Sequence, residues 1–153
     1  MKRIPVLLTL LALLCVPGVA FSGHDDIDQH RFCIDCGMDR KAYGFSRMLI
    51  RFEDGGSLGV CSLHCAVIAL AAQSGRQIRS LLVADRNGRD LIDATEAFWV
   101  MGGDKSGVMT PVPKWAFRSK TAAEKFIQAH GGEPTPWAGV LEAARQELLK
   151  KPR

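Results

Sequence analysis

The chain has no apolar run long enough to cross a bilayer: the longest, residues 4–16, falls short of the roughly 18 residues that a spanning helix needs. A permanent membrane anchor is therefore the weaker reading. A strong charge of either sign is also missing. The net charge is +4, and losing Lys2 and Arg3 with a leader would take two of those charges away. That is far from the basic stripe of a nucleic-acid binder, so nucleic acid is excluded as a partner. Nor is there a signature of disorder, because 47% hydrophobic residues in 153 can build one domain, or two small ones, without disulfides. Cysteine is scarce, with five in all, and none follows Cys65.

Residues 1–20 have a basic start, an apolar run, a Pro17-Gly18 break and small residues at Gly18 and Ala20, the layout of a secretory signal peptide cleaved after Ala20 or Ser22. The expectation is export to the periplasm, with membrane association only through an uncleaved leader. Cys15 belongs to the leader; Leu13-Leu14 precede it where a lipidated cysteine would follow small residues.

What remains is C-x₂-C-x₂₄-C-x₃-C, formed by Cys33, Cys36, Cys61 and Cys65, with Met38 two residues past the first pair. Two close thiol pairs separated by a hairpin can converge on one ion. They can also form disulfides in an oxidising compartment, within pairs or across them as in 33–61, although loops as small as 33–36 and 61–65 add little stability. Thiolates bind both Zn(II) and Cu(I), whereas a thioether suits Cu(I), so Met38 leans toward copper. Covalent haem is excluded because Gly37, not His, follows Cys36. Thioredoxin-like chemistry fits poorly, since the first pair precedes a turn rather than opening a helix.

Hydrophobic patterning predicts an α+β fold. Residues 21–31 read as a flexible polar lead-in in which His24 and His30 are solvated. A Cys-rich turn follows at 33–38, then a strand over 46–52, a turn at 53–56 and a returning strand over 58–61. Ser62 caps a helix to Ala72, so Cys61 stands at its entrance and Cys65 one turn on. Strands follow at 78–84 and 90–94. The pattern then repeats: a strand over 97–101, a loop, a strand over 115–117, a helix opened by Ser119 or by a Thr121/Glu124 capping box and ending at His130, and then Gly131-Gly132. The reading is a duplicated ββαβ chain, with a metal-binding half over 32–85, a second half over 86–136 and a closing amphipathic helix and tail over 137–153.

Cys33-Ile34-Asp35-Cys36-Gly37-Met38 resembles the C-x-x-C-G-M signature of the NosL family, exported copper-binding accessory proteins associated with maturation of nitrous oxide reductase. Asp90-Leu91-Ile92-Asp93-Ala94, Phe98-Trp99-Val100, Val108-Met109, Ala122-Ala123-Glu124-Lys125-Phe126 and His130-Gly131-Gly132 are similar to further family landmarks in the same order, so the resemblance spans about 32–132. It implies a duplicated ββαβ fold and Cu(I) held by Cys and Met sulfurs, with His as a further candidate. It also raises Met109 to a ligand candidate. Two departures stand out. Thr110 replaces the Gly that usually follows this Met, and the pair Cys61 and Cys65 is additional, similar to the C-x-x-x-C of TRASH and YHS heavy-metal modules.

The expected metal ligands are Cys33, Cys36, Cys61, Cys65 and Met38, with Met109 and His64 as further candidates. Met48 and Met101 are read as packing residues, and His130 as an ordinary helix-end histidine. The leading expectation is a non-enzymatic Cu(I) metallochaperone with a copper-receiving periplasmic protein as its partner. The alternatives are a structural Zn(II) module of TRASH type and a thiol-disulfide oxidoreductase.

Overall fold

The computed structural model describes residues 25–150. The signal peptide read over 1–20, its cleavage point, His24 and the final residues 151–153 lie outside the described residues. No helix among the described residues is long and apolar enough to cross a membrane.

The chain opens with helix α1 (Asp25–Gln29), followed by the cysteine turn and an antiparallel hairpin of β1 (Met48–Phe52) and β2 (Ser57–Val60). Helix α2 (Leu63–Ala72) leads to β3 (Ile78–Ala84), and β4 (Leu91–Asp93) completes a four-stranded sheet in the order β2-β1-β3-β4. The second half repeats the layout with β5 (Phe98–Met101), β6 (Lys114–Phe117), α3 (Lys120–His130) and β7 (Glu133–Pro134), ordered β6-β5-β7. In each half the first strand is central and pairs antiparallel with the strand before the helix and the strand after it. The expected duplicated ββαβ architecture is therefore present, with α4 (Trp137–Lys150) as the closing helix. β4, which follows residue 85 in the chain, pairs with β3 and extends the first sheet.

Alternation decides which face of β1 is buried deepest: Met48, Ile50 and Phe52 join the main core, where Val60, Val67, Ala69 and Val83 meet Val140 and Ala144 of α4. α2 is apolar nearly all round because it lies between the sheet and α4. A smaller core of Val100, Trp115, Phe117 and Ala123 serves the second sheet. Ser62 stands at the N-cap of α2, but its side chain makes no capping bond. On α3 the cap is Ser119, whose hydroxyl accepts from the Ala122 amide at 3.2 Å, so the expected Thr121/Glu124 box does not form.

Where the sequence suggested a flexible lead-in, residues 25–29 are helical and Asp26 is buried, 7% exposed. Its carboxylate accepts two bonds from Arg47, at 2.9 Å each, and one from Arg40 at 2.7 Å. Both arginine side chains are fully buried. Arg40 spends its remaining donors on main-chain oxygens of Asp26, His30, Met48 and Val60. It thereby fastens α1, the segment after the cysteine turn, β1 and β2 to one point. A Cβ at Gly59 would collide with His30 and the Arg40 guanidinium, so glycine is needed where these elements cross β2. His30 bonds Ser57 through Nε2 at 2.8 Å, and burial, reinforced by the Arg40 charge, lowers its pKa and keeps the ring neutral.

Burial alone would raise the Asp26 pKa, but the hydrogen bonds and charges of Arg47 and Arg40 outweigh it and leave the carboxyl below its ordinary value of 3.8. A depressed carboxylate stabilises the fold above the unfolded-state pKa, and this contribution is lost as pH falls through the lower native value. Asp26→Asn would strand two buried guanidinium ions and should cost about 3–5 kcal/mol in urea unfolding. Its stability should also fall less steeply below about pH 4 than that of the parent protein.

Candidate metal centre

The first cysteine pair sits on a tight knuckle. The Cys33 amide donates to the Met38 carbonyl at 2.9 Å, the Gly37 amide donates to the Cys33 carbonyl at 2.9 Å, and Gly37 adopts φ +74°, which glycine permits without strain. The Ile34 amide donates to the Gly59 carbonyl at 3.1 Å, tying the knuckle to β2. Cys61 follows β2 directly and Cys65 lies in the first turn of α2, where the helix dipole favours a thiolate. Ser46 donates to the Cys61 carbonyl at 2.8 Å and holds this corner in place.

These constraints bring the four cysteine sulfurs within 4.8 Å of one another. Cys36 is 3.5 Å from Cys61, and Cys61 is 3.6 Å from Cys65; all four are free thiols, so neither disulfide pairing is made. Thiolates around a tetrahedral ion at about 2.3 Å stand about 3.8 Å apart. The cluster is therefore close to the size of a metal-sulfur shell before any ion is added. Cys33, Cys61 and Cys65 are buried, and Cys36 is half-buried.

The sulfurs share their protons unequally. Hydrogen bonds from Cys61 and Cys65 stabilise a Cys33 thiolate and hold its pKa far below the ordinary 9.0, despite burial. Those same bonds keep the donors protonated: Cys61 is pushed up to about 12, first by its bond to Cys33, and Cys65 is pushed up by its bonds to Cys33 and Cys61. The Arg40 cation also feels the Cys33 charge. Cys33 thus gives up its proton readily while Cys61 and Cys65 hold theirs, so a cation binding among these sulfurs would release protons.

The remaining candidates are placed differently. Met38 ends the knuckle and packs half-buried against the core cluster that contains Cys33, Cys61 and Cys65. His64 is next to Cys65 in sequence, yet its nitrogens do not join the gathered sulfurs. It lines a cavity of about 20 Å³ with Val108, Thr110 and Lys114, at the contact between the halves. Met109 is 41% exposed at φ +61°, on a loop that Thr110 ties to α4: its hydroxyl donates to Glu147 at 2.7 Å, and the Lys114 ammonium bonds both groups. Asp26, Arg40, Arg47 and Ser46 position the cysteines, and no motif marked them. Their one trace in the sequence is a pair of arginines flanking the segment that leads into β1.

Paired ββαβ units with four gathered thiols in the first define the class: an α+β protein with a candidate soft-metal centre. The family model for NosL matches residues 24–144, and the chain belongs to the NosL family. Among solved structures it is similar to one described as the crystal structure of the copper chaperone NosL from Shewanella denitrificans. The TM-score is 0.58 at 21% identity, over 76% of this chain and 94% of that one, a likeness of fold. No curated protein matches the chain.

Because Cys36 offers the accessible sulfur, brief treatment of the reduced, metal-free protein with iodoacetamide should label Cys36 ahead of Cys33, Cys61 and Cys65. Peptide mass spectrometry would read the order.

Proposed function

We propose that the protein is an exported, non-enzymatic Cu(I)-binding metallochaperone. It takes up copper and supplies it to a periplasmic cuproenzyme, with nitrous oxide reductase as the candidate client, or sequesters it. The observation that carries this reading is the set of four cysteine sulfurs within 4.8 Å, none in a disulfide, bordered by the Met38 knuckle. Sulfur-only donors select soft ions, and a neighbouring thioether favours Cu(I). The likeness of fold to a protein described as a copper chaperone supports the same direction. Cys33, Cys36, Cys61 and Cys65 are the proposed ligands, with Met38 beside them. His64, in the first turn of α2, and Met109, exposed on its loop, are candidates for a transient ligand during transfer. Release proceeds by ligand exchange, the incoming sulfur or imidazole displacing one cysteine at a time.

One observation favours a second reading. Four thiols of which three are buried also suit a closed, tetrahedral Zn(II) site that stabilises the fold and gives nothing away. Anaerobic titration of the reduced protein with Cu(I) and Zn(II) against competing chelators separates the two. Copper delivery predicts a strong preference for Cu(I), weakened by Met38→Leu or Met109→Leu. Structural zinc predicts co-purified Zn(II), unfolding on chelation and indifference to both substitutions.

A further inference from the structure

Phe32 and Ile34 flank Cys33, and they are 62% and 64% exposed. The backbone around them is pinned: Phe32 bridges Asp39, the Ile34 amide bonds Gly59, and the turn closes through Cys33, Gly37 and Met38. Cys33 is buried while the residue on either side of it is exposed, so a turn pinned by its own main-chain bonds shows two large apolar side chains to solvent. Leaving both uncovered forgoes the stabilisation that burying large apolar side chains brings. Apolar surface of this kind, held stiffly beside a ligand, marks a contact face.

The occupant follows from the chemistry of release. An incoming donor atom must come within about 2.3 Å of an ion held among sulfurs. Three of those sulfurs are buried and Cys36 is half-buried, so the approach is over the knuckle, and whatever brings the donor must cover Phe32 and Ile34. Charge narrows the choice. Arg31 and Asp39 neutralise each other at 2.7 Å, while Asp35, exposed at the tip between Ile34 and Cys36, bonds the Cys65 thiol and, among the described residues, has no cation paired with it. An anionic lipid surface would be repelled by that carboxylate, whereas a protein can place a cation opposite it.

We infer that Phe32 and Ile34 form the docking collar for the metal-receiving apo-protein, whose soft donor is framed by apolar side chains and by a Lys or Arg facing Asp35. The inference rests on the copper-delivery reading and identifies the face of that site that the partner covers. Docking sets the rate of hand-over and leaves the affinity for Cu(I) untouched, because neither side chain reaches the ion.

The test places the photo-crosslinking residue p-benzoylphenylalanine at position 34 of the exported protein in copper-fed cells, then purifies the captured protein in apo form. Loaded parent protein and Phe32→Ser/Ile34→Ser are compared as donors, first to bathocuproine disulfonate and then to that apo-protein. Both side chains are largely exposed, so the variant should keep the parent thermal midpoint; Phe32→Tyr/Ile34→Val serves as the conservative control. The inference predicts equal Cu(I) affinity and equal transfer to the small chelator, with transfer to the apo-protein slowed on the order of tenfold and restored in the conservative control. Equal transfer rates to the apo-protein, no crosslink, or a crosslink only to lipid or to a second copy of this chain would overturn it. Failure of the parent protein itself to bind Cu(I) would sink the metal reading instead, and the titration against the chelator shows which has failed.

Discussion

Everything near the metal centre depends on one buried carboxylate. Asp26 is shared by Arg40 and Arg47, and through them it joins a five-residue helix to the start and end of the β1-β2 hairpin. A helix that short has no stability of its own in water, so α1 exists because its Asp26 and Ile27 are buried. Burying three charges is expensive. It is tolerated here because Arg40 places its donors on five oxygens, one carboxylate and four carbonyls, leaving no part of the guanidinium unbonded. An apolar core would have been at least as stable, but it would not have set the knuckle's position relative to β2 with the same directionality. That direction decides whether Cys36 meets Cys61.

The sulfur cluster inherits this rigidity from both sides. Cys33 and Cys36 belong to a turn closed by its own main-chain bonds, and Cys61 and Cys65 belong to a strand end and a helix start that cannot move without disturbing the core. The entropic cost of gathering four ligands is therefore met during folding rather than at metal capture. Among the crowded thiols one thiolate, Cys33, is stabilised with Cys61 and Cys65 as its donors. In the proposed site a soft cation would find one negative sulfur to attract it, and the donors to that sulfur would lose their protons as it arrived. The shell is uneven, with Cys33, Cys61 and Cys65 buried and Cys36 half-buried, and such unevenness would let retention and release coexist in the proposed site.

How much of this could be read from the chain differs by element. The strands and helices of both halves followed from hydrophobic alternation and from Gly-rich turns, since burial of one strand face leaves a period-two record. The convergence of the four cysteines followed from their spacing. Asp26 left no such record: one acidic residue in a polar stretch looks solvated until the two arginines that surround it are brought in from later in the chain. For the same reason the lead-in proved to be a packed helix, and His30 a strut on Ser57. The cap of α3 went to Ser119 over Thr121 because the helix begins two residues earlier than the capping box requires. The attachment of β4 to the first sheet is a pairing choice, and its short apolar run fits either sheet until β3 offers an open edge.

The duplication also explains why only one half carries the chemistry. Both halves present a strand end running into a helix, and in the second half that junction is Phe117, Arg118 and the Ser119 cap of α3. There the helix N-terminus is satisfied by a hydroxyl. In the first half Ser62 makes no side-chain cap, and the thiols of Cys61 and Cys65 flank it at the helix start, 3.6 Å apart. The ββαβ unit thus supplies an electropositive helix end in both halves, and it becomes a sulfur cluster where two thiols stand at that end and a second element delivers two more. That second element is the knuckle, which has no equivalent in the other half and needs α1 and the Asp26 network to hold it. The additional thiol pair and the clamped knuckle are therefore one adaptation, because neither pair alone surrounds an ion.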